Sequence, residues 1–208
     1  MVSEFPNTLL GMGMDHPART GLFGGTFDPP HLGHIVVATE GRYRLGLDEL
    51  LLVVANDPWQ KSADTPITPA RIRLEMVQAA VADHPALLAS DIEILRGGPS
   101  YTVDTVEQLS PGTGELTLVM GADTAAGLAT WHRHDELASM ARIGAAARSG
   151  TTPRLGPEWR VSTFTSPMVD ISSSEIRWRC REGQPIDHLV APGVLAVIEA
   201  HGLYDFRR

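Results

Sequence analysis

Short apolar runs at 20–24, 50–55, 87–94, 116–120, 143–147 and 161–165 are rich in Leu, Val, Ile or Ala and read as strands. Between them, apolar residues return every three or four positions, as on one face of a helix. The stretch 32–45 predicts the first helix. Thr68-Pro69 opens the second, with Thr68 as N-cap and Pro69 at the first helical position; Ile72, Met76, Ala79 and Ala80 then share a face. A short helix starts near Thr102, and Pro111-Gly112-Thr113-Gly114 ends it. Two short helices are predicted over 123–130 and 135–140. The stretch 149–157 holds two prolines and two glycines and reads as loop. Ser172-Ser173-Ser174-Glu175 is a capping box for a helix running to about Arg181. Pro192-Gly193 starts a last helix, which Gly202 ends as its C′ glycine.

Strand–helix–strand alternation predicts parallel strands joined by crossover helices, an α/β doubly wound sheet. Such sheets bind ligands at the carboxyl ends of their strands, near the point where strand order reverses. Residues 1–19 lack any period and are expected to be a poorly ordered extension. Residues 20–208 form the domain, with a helical C-terminal part over about 166–208 packed on the sheet. No internal repeat is evident.

Composition sharpens this picture. At roughly 150 residues per domain, 208 residues make one domain with an appendage. An apolar fraction of 43% with 20% charged residues fits a packed core and excludes a disordered chain, a coiled coil or a collagen repeat. The balance of 17 basic and 25 acidic residues gives a net charge of −8, which disfavours nucleic acid as a partner. The 8 histidines are neutral in that count, and some could be cationic locally. Cys180 is the single cysteine, so no internal disulfide and no cysteine-rich zinc site can form. The longest apolar run, 50–55, is too short to span a bilayer. Residues 1–20 lack a basic start followed by an apolar stretch, so no signal peptide is read there. A cytoplasmic protein without membrane contact is expected. A homo-oligomer is possible on these grounds and not specified.

The informative segment is Gly24-Gly25-Thr26-Phe27-Asp28-Pro29-Pro30-His31-Leu32-Gly33-His34, between the first strand and the first helix. It has no Gly-Lys-Ser/Thr ending, so it is not a Walker A loop, and the glycine spacing does not make GxGxxG. Gly24 and Gly25 let backbone approach a ligand closely, and Thr26 and Phe27 add N–H groups at the strand end. His31 and His34 fall on one face of a first helical turn, with Gly33 leaving room above it. A helix N-terminus adds positive potential. This combination suits phosphate. Capping or solvated histidines are the simpler reading of each residue alone, and no HExxH or second cysteine completes a metal site.

A second segment, Ile171-Ser172-Ser173-Ser174-Glu175-Ile176-Arg177, puts hydroxyls and a guanidinium at a helix start. Such a set can grip phosphate oxygens, though it is also an ordinary capped helix.

Gly25-x-Phe27-x-Pro29-x-His31-x-Gly33-His34 matches GxFxPxHxGH at every fixed position. The chain therefore resembles the nucleotidyltransferase superfamily that contains the nicotinate mononucleotide adenylyltransferases. The second segment resembles the ISSTxIR motif of that family, with Ser174 in place of threonine. Gly97-Gly98-Pro99-Ser100-Tyr101-Thr102-Val103-Asp104-Thr105 looks like the SYTxDT segment of the bacterial enzymes. Gly121-Ala122-Asp123 with Trp131 looks like their GAD…W, and His201-Gly202-Leu203-Tyr204 like their ending. The loop Pro58-Trp59-Gln60-Lys61 departs from the commoner Pro-His-Lys; Lys61 keeps the cation and Gln60 lacks the imidazole.

The resemblance implies a Rossmann-like nucleotidyltransferase fold and adenylyl transfer from ATP to nicotinate mononucleotide. It implies His31, His34 and Arg177 as catalytic residues. ATP and its phosphates would meet Gly24, Gly25, Thr26, Phe27, Lys61, Gly121, Asp123, Ser172, Ser173 and Ser174, with Asp123 on a ribose hydroxyl. Thr102 and Thr105 would hold the nicotinate carboxylate, and Trp131 would stack on the pyridine. Mg²⁺ would ride on the triphosphate, with no protein ligand set of its own. The alternatives are a nucleotidyltransferase for nicotinamide mononucleotide or another phosphate, and a non-catalytic nucleotide-binding regulator.

Overall fold

The computed structural model describes residues 19–58, 66–147 and 155–207. Most of the 1–19 extension, part of the 149–157 loop and Lys61 lie outside the described residues.

Six parallel strands form one sheet: β1 (Thr20–Gly25), β2 (Glu49–Val54), β3 (Leu87–Ser90), β4 (Leu116–Gly121), β5 (Arg142–Ala147) and β6 (Val161–Thr165). Their order is β3-β2-β1-β4-β5-β6, the doubly wound order with its reversal between β1 and β4. Eight helices accompany it among the described residues: α1 (Leu32–Arg44), α2 (Ala70–Val81), α3 (Ile92–Arg96), α4 (Thr102–Leu109), α5 (Ala122–Ala126), α6 (His134–Met140), α7 (Ser173–Arg181) and α8 (Pro192–Ala200). None of the described helices is long and apolar enough to cross a membrane.

The central strands are apolar on both faces because both faces are covered. Along β2, Leu50, Leu52 and Val54 point into one core with Ile35, Met76, Val77, Ile176 and Ile198. Val53 points the other way, joining Leu22, Leu116, Leu118, Met120, Val103, Val106 and Leu137. Strand alternation therefore feeds two cores, and α7 and α8 belong to the first.

Four local expectations change. The third strand ends at Ser90, and 92–96 is a helix instead. Leu95 N–H donates to Asp91 O at 2.8 Å, and Gly97, at φ 71°, stops the turn. Ile92-Glu93-Ile94 alternates as a strand would, and five residues are too few to display a helical period, so the pattern alone does not choose. Pro69, not Thr68, occupies the N-cap of α2, because Thr68 N–H donates to Asp28 Oδ2 at 3.3 Å and its hydroxyl reaches Tyr204. The 123–130 helix divides into α5 and a 3-10 turn over Leu128–Thr130. At α7, Ser172 Oγ accepts from Glu175 N–H at 3.1 Å, while the Glu175 carboxylate takes Arg179 Nε at 2.8 Å, leaving half of the expected capping box.

Candidate active site

β1 delivers the chain to the sheet's carboxyl edge beside the strand-order reversal, and Gly25 ends it. Phe27 then turns back through a left-handed φ of 51° and buries its ring. That ring lies over Gly25: a Cβ there would come within 2.8 Å of it, so only glycine fits. The same ring stands edge-on to His34, with centroids 5.0 Å apart.

His31 and His34 open α1 with their rings close, centroids 3.7 Å apart. The His31 backbone N–H donates to His34 Nδ1 at 3.1 Å. Neutral His34 therefore carries its proton on Nε2, as a donor. His31 is buried, and that burial lowers its pKa to about 4. Near neutral pH it is an uncharged hydrogen-bonding group. Its Nδ1 is buried without a hydrogen-bond partner among the described residues. A Cβ on Gly33 would stand 3.0 Å from that nitrogen, so the glycine makes room for the His31 ring.

The two motifs meet in space. From α7, Ser173 Oγ donates to Pro29 O at 2.8 Å, and Arg177 Nη1 donates to Asp28 O at 2.7 Å. Arg177 Nη2 also donates to Ser174 Oγ at 3.2 Å. Backbone of the first motif is thus held by side chains of the second, 144 and 149 residues away.

Sequence reasoning missed the residues beneath this junction. Asp28 is buried, and its Oδ1 accepts from the Tyr204 hydroxyl at 2.5 Å. Burial and that bond hold the tyrosine's pKa well above its ordinary range, so it remains a donor. Arg73 is buried within α2. Its guanidinium donates to Thr26 O at 2.7 Å, Thr68 O at 2.7 Å and Asn56 O at 3.3 Å. Burial pushes the Arg73 pKa down, and Asp28 pushes it back up. Ser100 Oγ accepts from the N–H groups of Asn56 at 2.8 Å and Asp57 at 3.2 Å, tying the loop after β2 to the start of α4. Of these residues, Asp28, Ser100 and Tyr204 lie in segments whose motifs the sequence displays, although their partners do not follow from it, and Arg73 lies in no motif.

A cavity of about 400 Å³ opens beside the junction. Gly24, Gly25 and Thr26 line one side, and Leu118, Val119 and Met120 of β4 form its floor. Thr102, Thr105, Trp131 and Glu93 complete the wall, with Tyr101 and His132, whose rings stack at 4.3 Å. Trp131, Thr102 and Thr105 are therefore brought together. The Thr105 hydroxyl donates to Glu93 Oε1 at 2.6 Å, so its proton is directed at the protein rather than at a ligand. Gly121 ends β4, and Asp123 is exposed in the first turn of α5. Ser172 faces a separate small hollow with Glu175 and Arg179.

Two close histidines at the sheet edge, a second motif clasping their loop and an adjoining cavity make up the candidate site. The chain matches the cytidylyltransferase-like family over residues 22–179 and belongs to it. Its relatives there are called probable nicotinate-nucleotide adenylyltransferases. One from Dehalococcoides mccartyi is 40% identical over 198 residues, covering 89% of this chain and 97% of the relative. One from Thermus thermophilus is 43% identical over 189 residues, covering 89% and 99%. The fold is similar to that of a solved Plasmodium falciparum nicotinic acid mononucleotide adenylyltransferase, with a TM-score of 0.71 at 17% identity over 91% of this chain and 98% of that one.

Proposed function

We propose that this chain transfers the adenylyl group of ATP to nicotinate mononucleotide, giving deamido-NAD and pyrophosphate as a step of NAD biosynthesis. The observation that carries the reading is the meeting of the two motifs beside a cavity walled by Trp131 and the start of α4. Relatives of that name covering nearly the whole chain support it.

A phosphate oxygen of the mononucleotide attacks the ATP α-phosphorus in line, the bond from that phosphorus to the β-phosphate bridging oxygen breaks, and pyrophosphate leaves. The nucleophile belongs to the substrate, so no side chain forms a covalent intermediate. The protein aligns the two phosphates and stabilises charge on the moving group. His34 donates from Nε2 toward that charge. His31, neutral and desolvated, adds a hydrogen bond there. The amides of Ser172–Ser174 and the Arg177 guanidinium take the outer phosphates, while the Ser173 and Arg177 side chains also clasp the loop of Asp28 and Pro29. Lys61 brings a further cation, and Asp123 a partner for ribose hydroxyls. Pyridine stacks on Trp131, and the carboxylate faces the N–H groups and positive end of α4.

ATP enters as its Mg²⁺ complex, the ion carried by phosphate oxygens and water. Among the described residues no group of three or more His, Cys, Asp or Glu could hold a metal ion. The reading is of a cytoplasmic enzyme acting on small molecules rather than nucleic acid, as monomer or homo-oligomer.

The test mixes the protein with Mg²⁺, ATP and either nicotinate or nicotinamide mononucleotide, and follows pyrophosphate and dinucleotide. Faster turnover of the nicotinate form is expected. ATP binding without pyrophosphate release from either mixture would overturn the proposal in favour of a regulator.

A further inference from the structure

One wall of the cavity carries a feature at odds with an anionic ligand. Glu93 is buried and lines the same space as Trp131 and Thr102. A carboxylate there repels a carboxylate on the pyridine ring and would accept an N–H from an amide. What answers it is Arg96, one turn further along α3. Its Nη1 donates to Thr105 Oγ at 3.0 Å, and Thr105 donates on to Glu93 Oε1 at 2.6 Å. The same Nη1 stands 3.5 Å from Gln108 Oε1. Its Nη2 lies 3.9 Å from Glu93 Oε1 and is buried with no hydrogen-bond partner among the described residues. One guanidinium face is thus directed at the Glu93 charge without being consumed by a close ion pair.

Resting on the function proposed above, we propose that Arg96 determines the preference for a carboxylate over an amide on the pyridine ring. It offsets the Glu93 charge and fixes the Thr105 hydroxyl between them, acting as a positioning residue. With Arg96 present the wall is close to neutral, and the N-terminus of α4 decides in favour of the anion. Without it, a bare carboxylate faces the substrate, and discrimination shifts through a repulsive contact rather than a lost attractive one.

The experiment compares kcat/KM for nicotinate and nicotinamide mononucleotides, with Mg²⁺ and saturating ATP, in the wild type, Arg96→Met and Glu93→Gln. Arg96→Met is expected to lower the nicotinate-to-nicotinamide ratio at least fivefold. Glu93→Gln, which leaves Arg96 unopposed, is expected to raise it at least threefold. A purely structural role would depress both substrates alike and leave the ratio where it was. A smaller fall in the methionine variant, or a glutamine variant whose ratio does not rise threefold, overturns the proposal. Should Arg96→Met not fold, Glu93→Gln decides by the same threshold. A wild type that uses neither mononucleotide overturns the function proposed for the chain, whereas an active wild type with unmoved ratios overturns the role of Arg96 alone.

Discussion

Replacing Arg73 by methionine tests whether one buried guanidinium holds the active-site loops together. Methionine keeps an apolar stem in the α2 interior and removes every donor. Two short hydrogen bonds disappear, to Thr26 O and Thr68 O at 2.7 Å each, together with a longer one to Asn56 O at 3.3 Å. A hydrogen bond from a charged donor contributes about 1.5–3 kcal/mol, and an acceptor left buried and unpaired costs about 1–3 kcal/mol. The two short bonds alone then give a loss of about 4 kcal/mol. The Asp28 carboxylate also loses its nearby positive charge. Against a total stability of about 5–15 kcal/mol, this is a large fraction. Urea unfolding followed by circular dichroism, fitted with a common slope, measures it. Arg73→Lys keeps the charge but cannot reach all three carbonyls, so it should lose about half as much. A methionine variant within about 1 kcal/mol of wild type would show that these carbonyls find other partners and would refute the reasoning.

His34→Ala should cut turnover at least 100-fold while the fold persists, since one transition-state donor contributes roughly 3 kcal/mol. Steady-state pyrophosphate release checks this, and turnover within threefold of wild type removes His34 from the chemistry. His31 makes stability depend on pH. Its folded pKa is about 4 against about 6.5 unfolded, so the unfolded chain takes up the proton first. Its effect is nil above about pH 7, grows as pH falls from 6.5 to 4, and levels off at about 3 kcal/mol of destabilisation. The stability of His31→Gln relative to wild type should improve by that amount between pH 7.5 and pH 4. Urea midpoints that keep a constant difference across this range would show that buried His31 protonates as freely as exposed histidine.

The chain exposes in its pattern what depends on neighbours in sequence. Leu50, Leu52 and Val54 alternate with Val53, and both sets are apolar, so the hydropathy pattern by itself marks a strand covered on both faces. His31, Gly33 and His34 are close in the chain, and their shared face follows from helical geometry. Arg73 reads as an exposed helix residue because its acceptors Thr26 and Asn56 lie 47 and 17 positions away. Glu93 falls within an expected strand, and its place in the cavity wall depends on α3 forming instead. Thr105 is legible as a pocket residue, but not the direction of its proton, which Glu93 and Arg96 set. The charge of His31 is likewise beyond the sequence, since burial decides it. The net charge of −8 still argues against nucleic acid, while the small anions of the proposed reaction meet local donors.

The bond between Tyr204 and Asp28 has a consequence for how the protein is made. Asp28 leaves the ribosome 176 residues ahead of the tyrosine that closes on it. At 5–20 residues per second, that interval is roughly 9–35 s. β1 pairs first with β2 (Glu49–Val54) and then with β4 (Leu116–Gly121), and even when Thr165 has completed the sheet the histidine loop still lacks its last tether. The nascent chain therefore completes its sheet first and its working geometry afterwards, when the segment after α8 emerges.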